Sequence, residues 1–387
     1  MSKARIYYFD NNATTRVAPE VVDAMVPVLS EHWGNPSSAY GFAKEAARRV
    51  DKAREQVAAL VNASPAEIIF TSCGTESNNS AIHSALFTQE EKSHVITTAV
   101  EHSANIKFAK YLEWCGYEVT LLPVEPDGSL DLHLLEKSIR PETAIVSVMW
   151  ANNETGVLFP VEEIAALCRS KDVLFHTDAV QVPGKCNIDV REIGADFLSL
   201  SAHKLHAPKG IGCLYVKRRV RYQPYVFGGG QEQGRRGGTE NTAHIVGFGR
   251  AAELAMATLD EENTRVRALR DKLERWILRH IPKTSRNGAK EPRLPNTANI
   301  AFEGVEAEVM LDALDKIGVC ASSGSACTTG IIEPSHVLTA MGVRPVRAKG
   351  SIRFSLGIYN TEDEVDYLIH HLPAVVSDVR GRFEARK

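Results

Sequence analysis

The 387-residue chain has few of the features that mark secreted, membrane or nucleic-acid-binding proteins. Its 45 lysines and arginines nearly balance 48 aspartates and glutamates, and the formal net charge of -3 offers no general attraction to nucleic acid or to an anionic membrane. No uninterrupted apolar run approaches the ~20 residues that a membrane helix needs. The N-terminal sequence MSKARIYYFDNN also lacks the layout of a signal peptide. We therefore expect a cytoplasmic protein without nucleic-acid or membrane partners.

Cysteine is scarce, and the spacing of the cysteines is irregular. No two of them form a CxxC pair, so the sequence predicts neither a disulfide framework nor a structural zinc site. Most are expected to be small buried hydrophobic residues. Cys327 differs from the others, because its neighbours in SSGSACTTG are small and polar.

From about residue 65 onward, apolar runs alternate with amphipathic segments. Strand-like runs lie at 67–71, 94–98, 118–122, 144–149, 173–177, 196–200 and 211–216, and helix-like stretches separate most of them. This alternation predicts an α/β fold with a mostly parallel seven-stranded sheet that is covered by helices. The last two strands are joined by only about ten residues, so that pair is predicted to be antiparallel.

The C-terminal third of the chain has a different pattern. A long charged helix pattern spans roughly 242–281 with an interruption near 259–263, and shorter strand and helix patterns follow it. We expect two domains: a large one over residues 16–264, and a smaller α+β domain that combines residues 1–15 with 265–387.

Ligands bind beyond the carboxyl ends of the strands in an open α/β sheet, so the residues after each strand are the first candidates for a site. Gly74 and Thr75 follow the first strand and precede a helix, where backbone N–H groups can seat a phosphate. The alternative is an ordinary helix cap. His102 follows the second strand, and it is either a ring-stacking or proton-transferring group or a structural histidine.

The next strand ends supply amides and a carboxylate. Asn153 follows the strand at 144–149, and Asp178 and Gln181 follow the strand at 173–177. A carboxylate between apolar segments needs a cationic partner, which a protonated pyridinium nitrogen would provide. A metal bound by His176 and Asp178 is the rival interpretation, but no further ligands are evident.

Ser201, His203 and Lys204 follow the strand at 196–200. A lysine on a loop stiffened by glycine and proline can be desolvated enough to attack an aldehyde, although it can equally be a solvated loop residue. Taken together, the strand ends offer a phosphate seat, a ring-stacking group, a partner for a ring nitrogen and an amine. Pyridoxal 5'-phosphate requires this combination, and we predict that it is the cofactor.

The segments that contain these residues resemble the class V, fold-type I pyridoxal-phosphate enzymes, and within them the cysteine desulfurases of the NifS/IscS group, with details closer to the NifS type. The resemblance extends over essentially the whole chain. It is carried by DNNATT (10–15), FTSCGTESNN (70–79), VEHSA (100–104), ANNETG (151–156), HTDAVQ (176–181), SAHKLHAPKG (201–210), GGGQEQGRRGGTEN (228–241), SSGSAC (322–327) and IRFSLG (352–357).

The resemblance implies a role for each matched position. Lys204 would form the Schiff base with the cofactor, and His102 would lie over its ring. Asp178 would pair with the ring nitrogen and Gln181 with the ring hydroxyl. The remaining cofactor contacts would come from Gly74, Thr75, Asn153, Ser201 and His203, together with Thr239 from the other subunit of a homodimer.

The resemblance also implies the reaction. Asn153 and Arg353 would bind the carboxylate of L-cysteine, and Cys327 would be the nucleophile that takes the sulfur as a persulfide while L-alanine is released. A scaffold or another acceptor protein would then receive the sulfur for iron–sulfur cluster assembly, including the clusters needed for nitrogen fixation. A selenocysteine lyase, a class V aminotransferase and a sulfur-relay protein without turnover are the alternatives.

Overall fold

The computed structural model describes residues 5–323 and 334–384, and every structural statement below refers to those residues. The strands are β1 (Tyr7–Tyr8), β2 (Ile68–Thr71), β3 (His94–Thr98), β4 (Glu118–Leu122), β5 (Thr143–Ser147), β6 (Leu174–Asp178), β7 (Phe197–Ser201), β8 (Gly212–Val216), β9 (Thr284–Arg286), β10 (Thr297–Phe302), β11 (Val319–Cys320) and β12 (Ser351–Ser355).

The α-helices are α1 (Pro19–Ser30), α2 (Gly41–Leu60), α3 (Gly74–Phe87), α4 (Ser103–Trp114), α5 (Leu132–Ser138), α6 (Val161–Ser170), α7 (Val190–Ile193), α8 (Thr242–Ala257), α9 (Leu259–Glu261), α10 (Arg267–His280), α11 (Ala307–Asp315), α12 (His336–Ala340), α13 (Pro345–Ala348) and α14 (Glu362–Glu384). Within the described ranges, no helix has the length and apolarity required to cross a bilayer.

The larger sheet has seven strands in the order β2-β8-β7-β6-β5-β3-β4. Strands β3 to β7 pair in parallel, and β8 runs antiparallel to both of its neighbours, β2 and β7. The α/β fold with a mostly parallel sheet is therefore confirmed, including the antiparallel last pair. Because β8 is antiparallel to both β2 and β7, β2 points the same way as the parallel strands. The carboxyl ends of β2, β3, β5, β6 and β7 consequently share one edge of the sheet.

The buried strands owe their conformation to continuous runs of apolar and β-branched residues. Ile145 and Val146 of β5 are fully buried, as are Leu198 and Leu200 of β7, because helices cover both faces of the sheet. The edge strand β4 is the exception, with Leu121 exposed.

A second, antiparallel sheet has the order β12-β10-β9, and β1 pairs in parallel with β11. This sheet packs with α10, α11 and α14 around a separate hydrophobic core to which Phe9 contributes. Val337, Leu338 and Met341 instead join the core of the larger sheet. The exact domain boundary at residues 264 and 265 stays a prediction.

The C-terminal part agrees with the sequence pattern in one detail and differs from it in another. The helix pattern over 242–281 is interrupted as expected, because α8 ends at Ala257 and a π-helical turn, Glu262–Val266, leads into α10. The short strands β1 and β9 were not expected, since two or three residues are too few to show an alternating pattern.

Candidate active site

The carboxyl ends of the parallel strands open into a cavity of about 370 Å³. One wall comes from the larger sheet, and β12 of the second sheet contributes the other. Ten of the residues singled out from the sequence line it: Gly74, Thr75, His102, Asn153, Asp178, Gln181, Ser201, His203, Lys204 and Arg353. Their roles remain predictions, but the structure brings them into one cavity.

Lys204 reaches the cavity through a short 3₁₀ turn, Ala202–Lys204, directly after β7. Its Nζ donates to the backbone oxygens of Asn12 and Ala13, the latter at 2.8 Å. Desolvation by the cavity walls, with smaller contributions from the positive charges of Arg353 and Lys185, lowers the pKa of Lys204 to about 7. A large fraction of this amine is therefore neutral, and nucleophilic, near neutral pH.

Asp178 is the last residue of β6 and is only 7% exposed. Its Oδ2 accepts a hydrogen bond from Asn78 Nδ2 at 2.6 Å, and its Oδ1 accepts one from the backbone N–H of Val180 at 3.0 Å. These two donors fix the orientation of the carboxylate at the cavity wall. A cation in the cavity would be a favourable partner for it.

His176 does not share a site with Asp178. Its Nδ1 bonds to Ser147 Oγ at 2.8 Å and its Nε2 to Ser199 Oγ at 2.9 Å, so that the ring links β5, β6 and β7 inside the sheet. Burial lowers the pKa of His176 to about 3, which keeps the ring neutral. Both ring nitrogens of His176 are therefore occupied by hydrogen bonds within the sheet, which favours a structural role over metal binding.

The start of α3 forms a close-fitting seat. A Cβ on Gly74 would lie 2.8 Å from the side chain of Val180 and 3.4 Å from that of Ser201, so glycine allows the helix start to approach the ends of β6 and β7. The first N–H groups of a helix have no partner within it and favour an anion. Gly74, Thr75 and Ser201 line the cavity at this helix start, and together they could bind a phosphate group.

Two histidines complete this side of the cavity. His102 is the N-cap of α4, where its Nδ1 accepts from the backbone N–H of Ala104 at 3.2 Å. Its ring is exposed to the cavity, yet the surrounding walls desolvate it enough to lower the pKa of His102. His203 Nδ1 lies 3.1 Å from Thr14 Oγ1, and partial burial lowers the pKa of His203 to about 4. His203 is therefore neutral and can accept or donate a hydrogen bond.

Arg353 enters from β12, and its side chain is 5% exposed. One guanidinium nitrogen pairs with Asp10 Oδ1 at 2.7 Å and another donates to the backbone oxygen of Asn153 at 2.9 Å. Its Nε has no hydrogen-bond partner in the described part of the chain. Asp10 and Asn153 thus hold a cationic group at the cavity wall opposite the larger sheet.

Two predicted site residues, Thr239 and Cys327, are not among the described residues that line this cavity. Thr239 is exposed and lines a separate cavity of about 230 Å³ together with Ser72 and Arg236. Cys327 lies outside the described residues. Ser322, five positions before Cys327 in the sequence, does line the active-site cavity.

The site also contains residues that sequence reasoning missed. The amide of Asn78 orients Asp178, and the backbone of Asn12 accepts from both Lys204 and Gln181. Asn78 lies four positions after Gly74, one turn along the same helix face, and that spacing could have identified it. Nothing in the local pattern of DNNATT marks Asn12, because its contacts with Gln181 and Lys204 join segments over 160 residues apart.

The family comparison agrees with the fold and the cavity. The model for aminotransferase class-V matches residues 7–368. The chain therefore belongs to the class V aminotransferase family.

Individual relatives narrow this assignment. The cysteine desulfurase NifS of Azotobacter vinelandii is 52% identical over 375 residues, which cover 97% of this chain and 93% of that protein. The cysteine desulfurase IscS of Clostridium botulinum is 46% identical over 376 residues, which cover 96% of this chain and 95% of that protein. A solved NIFS-like protein has a TM-score of 0.91 and 40% identity, with 96% of this chain and 100% of that chain covered. Within the family, the chain belongs with the cysteine desulfurases of the NifS/IscS group.

Proposed function

We propose that the chain converts L-cysteine to L-alanine as a pyridoxal-phosphate-dependent cysteine desulfurase and passes the sulfur to iron–sulfur cluster assembly. The observation that carries this proposal is the meeting of a partly neutral Lys204 amine with an oriented Asp178 carboxylate in one cavity, in a chain of this family. The alternatives on the same scaffold, a selenocysteine lyase and an aminotransferase, share these features and differ in substrate.

The described residues fit pyridoxal 5'-phosphate. The start of α3 and Ser201 would hold the phosphate, Asp178 would pair with the ring nitrogen, and Gln181 would face the ring hydroxyl. The Gln181 Oε1 is buried and has no partner among the described residues, while its Nε2 donates to the Asn12 backbone at 3.0 Å. When bound, the cofactor supplies an aldehyde for Lys204 and an electron sink for a substrate carbanion.

The protein's own groups then have distinct tasks. Arg353 has a charge and an unpaired Nε with which to bind the substrate carboxylate, and Asn153 lies beside it. Lys204, whose amine is about half neutral at pH 7, would take the proton from the substrate α-carbon and return it. His102, which lines the cavity, would stack on the cofactor ring and exchange a proton near the substrate sulfur.

Cys327 is proposed as the sulfur acceptor. Its thiolate would attack the substrate sulfur, the carbon–sulfur bond would break, and a persulfide would remain on Cys327 while alanine leaves. Ser322, five positions earlier in the sequence, lines the cavity, and five residues of chain span at most about 18 Å. This span is short enough for the proposed attack on a substrate in the cavity.

A homodimer is proposed as the working form. Val22, Val26, Leu29 and Trp33 are 44%, 51%, 63% and 69% exposed and recur with helical spacing along α1 and just beyond it. Such an apolar stripe favours burial against another chain. The exposed Thr239, which lies outside its own chain's cavity, would then complete the phosphate site of the partner subunit.

The cytoplasmic location and the pathway stay predictions. Nitrogenase maturation and general iron–sulfur assembly both need this sulfur, and the chain has relatives of both the NifS and the IscS type. The protein that accepts the persulfide sulfur would be a scaffold or a carrier in either case.

A substrate comparison tests the proposed function. The purified protein with bound cofactor is expected to form alanine and a persulfide from L-cysteine. Parallel assays with selenocysteine, and with alanine plus a keto acid, separate the alternatives. Turnover confined to selenocysteine, or amino transfer without sulfur release, would contradict the proposal.

The ionisation of Lys204 predicts a pH dependence of cofactor uptake. An ordinary lysine with a pKa near 10.4 is neutral in only about one molecule in 2,500 at pH 7, whereas a pKa of about 7 leaves roughly half of the amine neutral. The rate at which the apoprotein takes up pyridoxal phosphate is therefore expected to rise through pH ~7 and then level off. Stopped-flow absorbance measures this rate. The control is Nα-acetyl-lysine, whose free ε-amine should show its increase in rate near pH ~10. The same late rise in the protein would contradict the prediction.

Replacing Asp178 with asparagine is expected to lower the kcat for cysteine by at least about 100-fold, because a neutral amide cannot stabilise a protonated ring nitrogen. The absorption spectrum of the bound cofactor should shift at the same time. Asp127→Asn, a change at an exposed turn residue, is the matched control. An unchanged kcat in the Asp178 variant would show that this carboxylate does not serve the cofactor.

A further inference from the structure

The glycine-rich loop, residues 228–238, is held against the large sheet by two ion pairs that the reaction itself does not use. The deeper pair joins Glu232 to Arg54 of α2 through two hydrogen bonds of 2.7 Å. Glu232 Oε2 also accepts from the backbone N–H of Phe70 in β2, at 2.9 Å. The base of the loop is therefore fixed to the strand that leads to the phosphate seat.

The backbone of the loop is constrained as well. Glu232 and Gln233 have φ values of 49° and 59°, in the left-handed region that residues with a Cβ seldom adopt. Gly237 lies so close to Gly228 that a Cβ on Gly237 would be 2.5 Å from the Gly228 nitrogen. Such a conformation persists only where its surroundings enforce it.

The second ion pair joins the end of the loop to the phosphate seat. Arg236 donates from Nε to Glu76 Oε1 at 2.9 Å and from a terminal nitrogen to Oε2 at 3.1 Å. Glu76 Oε2 also accepts from the backbone N–H of Ser72 at 2.8 Å. Glu76 belongs to the first turn of α3, immediately after Gly74 and Thr75.

This pair is well suited to a positioning role. The side chains of Arg236 and Glu76 are 23% and 9% exposed, so water screens them only partly. Burial opposes ionisation of Glu76, but the hydrogen bonds from Arg236 and Ser72 outweigh it and hold the pKa of Glu76 below its usual value. The pair is therefore ionised at neutral pH. Thr239 follows Arg236 by three residues and is exposed.

We propose that the Arg236–Glu76 ion pair is a positioning contact that fixes the glycine-rich loop to its own subunit's phosphate seat and thereby presents Thr239 to the partner subunit's cofactor phosphate. The inference rests on the proposed cofactor and homodimer. It makes cofactor retention in one subunit depend on an ion pair in the other. Arg236 itself touches neither substrate nor cofactor in this arrangement.

Mixed dimers distinguish an effect on the partner from an effect within the same subunit. Two subunits with different affinity tags are produced together, and one of them carries Lys204→Ala, so that a single Schiff base can form in each dimer. In the first dimer, Arg236→Gln lies on the Lys204→Ala subunit. In the second dimer, Arg236→Gln lies on the subunit that keeps Lys204.

The readout is the dissociation constant of pyridoxal phosphate, measured from the Schiff-base absorbance. Loss of a charge-assisted hydrogen-bonded pair is expected to weaken binding by about tenfold or more in the first dimer, and to leave the second near the wild-type value. Arg236→Lys, which keeps the charge, should restore part of the affinity. Arg250→Gln, which removes an exposed pair with Glu253, is the matched control and should have no effect in either dimer.

Every other pattern overturns the inference. Weaker binding in the second dimer only would place the effect within one subunit, and equal losses in both would indicate a general folding defect, which circular dichroism would reveal. No loss in either dimer, or a protein that sedimentation shows to be monomeric, would also contradict it. Failure of the proposed function would be visible separately, as wild-type protein that forms no Schiff base or releases no alanine from cysteine.

Discussion

Replacing Lys204 with alanine is expected to abolish the visible absorbance of the bound cofactor and to reduce cysteine turnover by at least about 10³-fold. The amine is the group that would bond to the cofactor aldehyde, and afterwards it would move the proton at the substrate α-carbon. Its lowered pKa, about 7, reflects desolvation in the cavity, and no other described lysine lines the cavity to replace it. Absorbance spectra and alanine release measure the two effects.

Lys209→Ala is the matched control for this change. Lys209 lies in the same loop and is exposed, so its removal should leave both absorbance and turnover unchanged. Lys204→Arg should resemble the alanine variant, because a guanidinium stays protonated and cannot act as the nucleophile. A yellow, active Lys204→Ala protein would mean that another amine holds the cofactor.

Replacing Cys327 with serine is expected to separate cofactor chemistry from sulfur transfer. The variant should still bind pyridoxal phosphate and react with cysteine, because Lys204 and the phosphate seat are untouched. Sulfur release should fall by on the order of 10³-fold or more, since a serine hydroxyl is not ionised at neutral pH and cannot attack the substrate sulfur. Spectra of the variant mixed with cysteine, together with sulfide and alanine assays, measure the separation.

Mass spectrometry after incubation with cysteine checks the same assignment directly. The wild-type peptide that contains Cys327 should gain one sulfur atom, and the serine variant should not. Cys115→Ser is the matched control, because Cys115 is exposed and does not line the cavity. Full desulfurisation by the Cys327→Ser protein, or added sulfur only on another cysteine, would remove Cys327 from its proposed role.

Six of the seven strands of the larger sheet are buried runs of apolar and β-branched residues, and the partly exposed edge strand β4 also contains such residues. These strands were predictable because a run of this kind is visible as a local pattern in the sequence. Lys204 and Asp178 were also predictable as site residues, because each stands close to the end of one of those runs. The strands β1 and β9 were not predictable, since they are short and are defined by their partners. The π-helical turn at Glu262–Val266 likewise has no distinct pattern of its own.

The sequence by itself therefore determined the fold class, the strand ends that form the cavity and the residue types that suit the cofactor. The tertiary structure decided how those groups are held. Asn12 accepts from Lys204, Asn78 orients Asp178, and Arg353 crosses from the second sheet. These contacts join segments far apart in the chain, and the desolvation that lowers the pKa of Lys204 comes from all of them together. Neither the contacts nor the desolvation can be read from local sequence patterns, because both arise only when distant segments pack together.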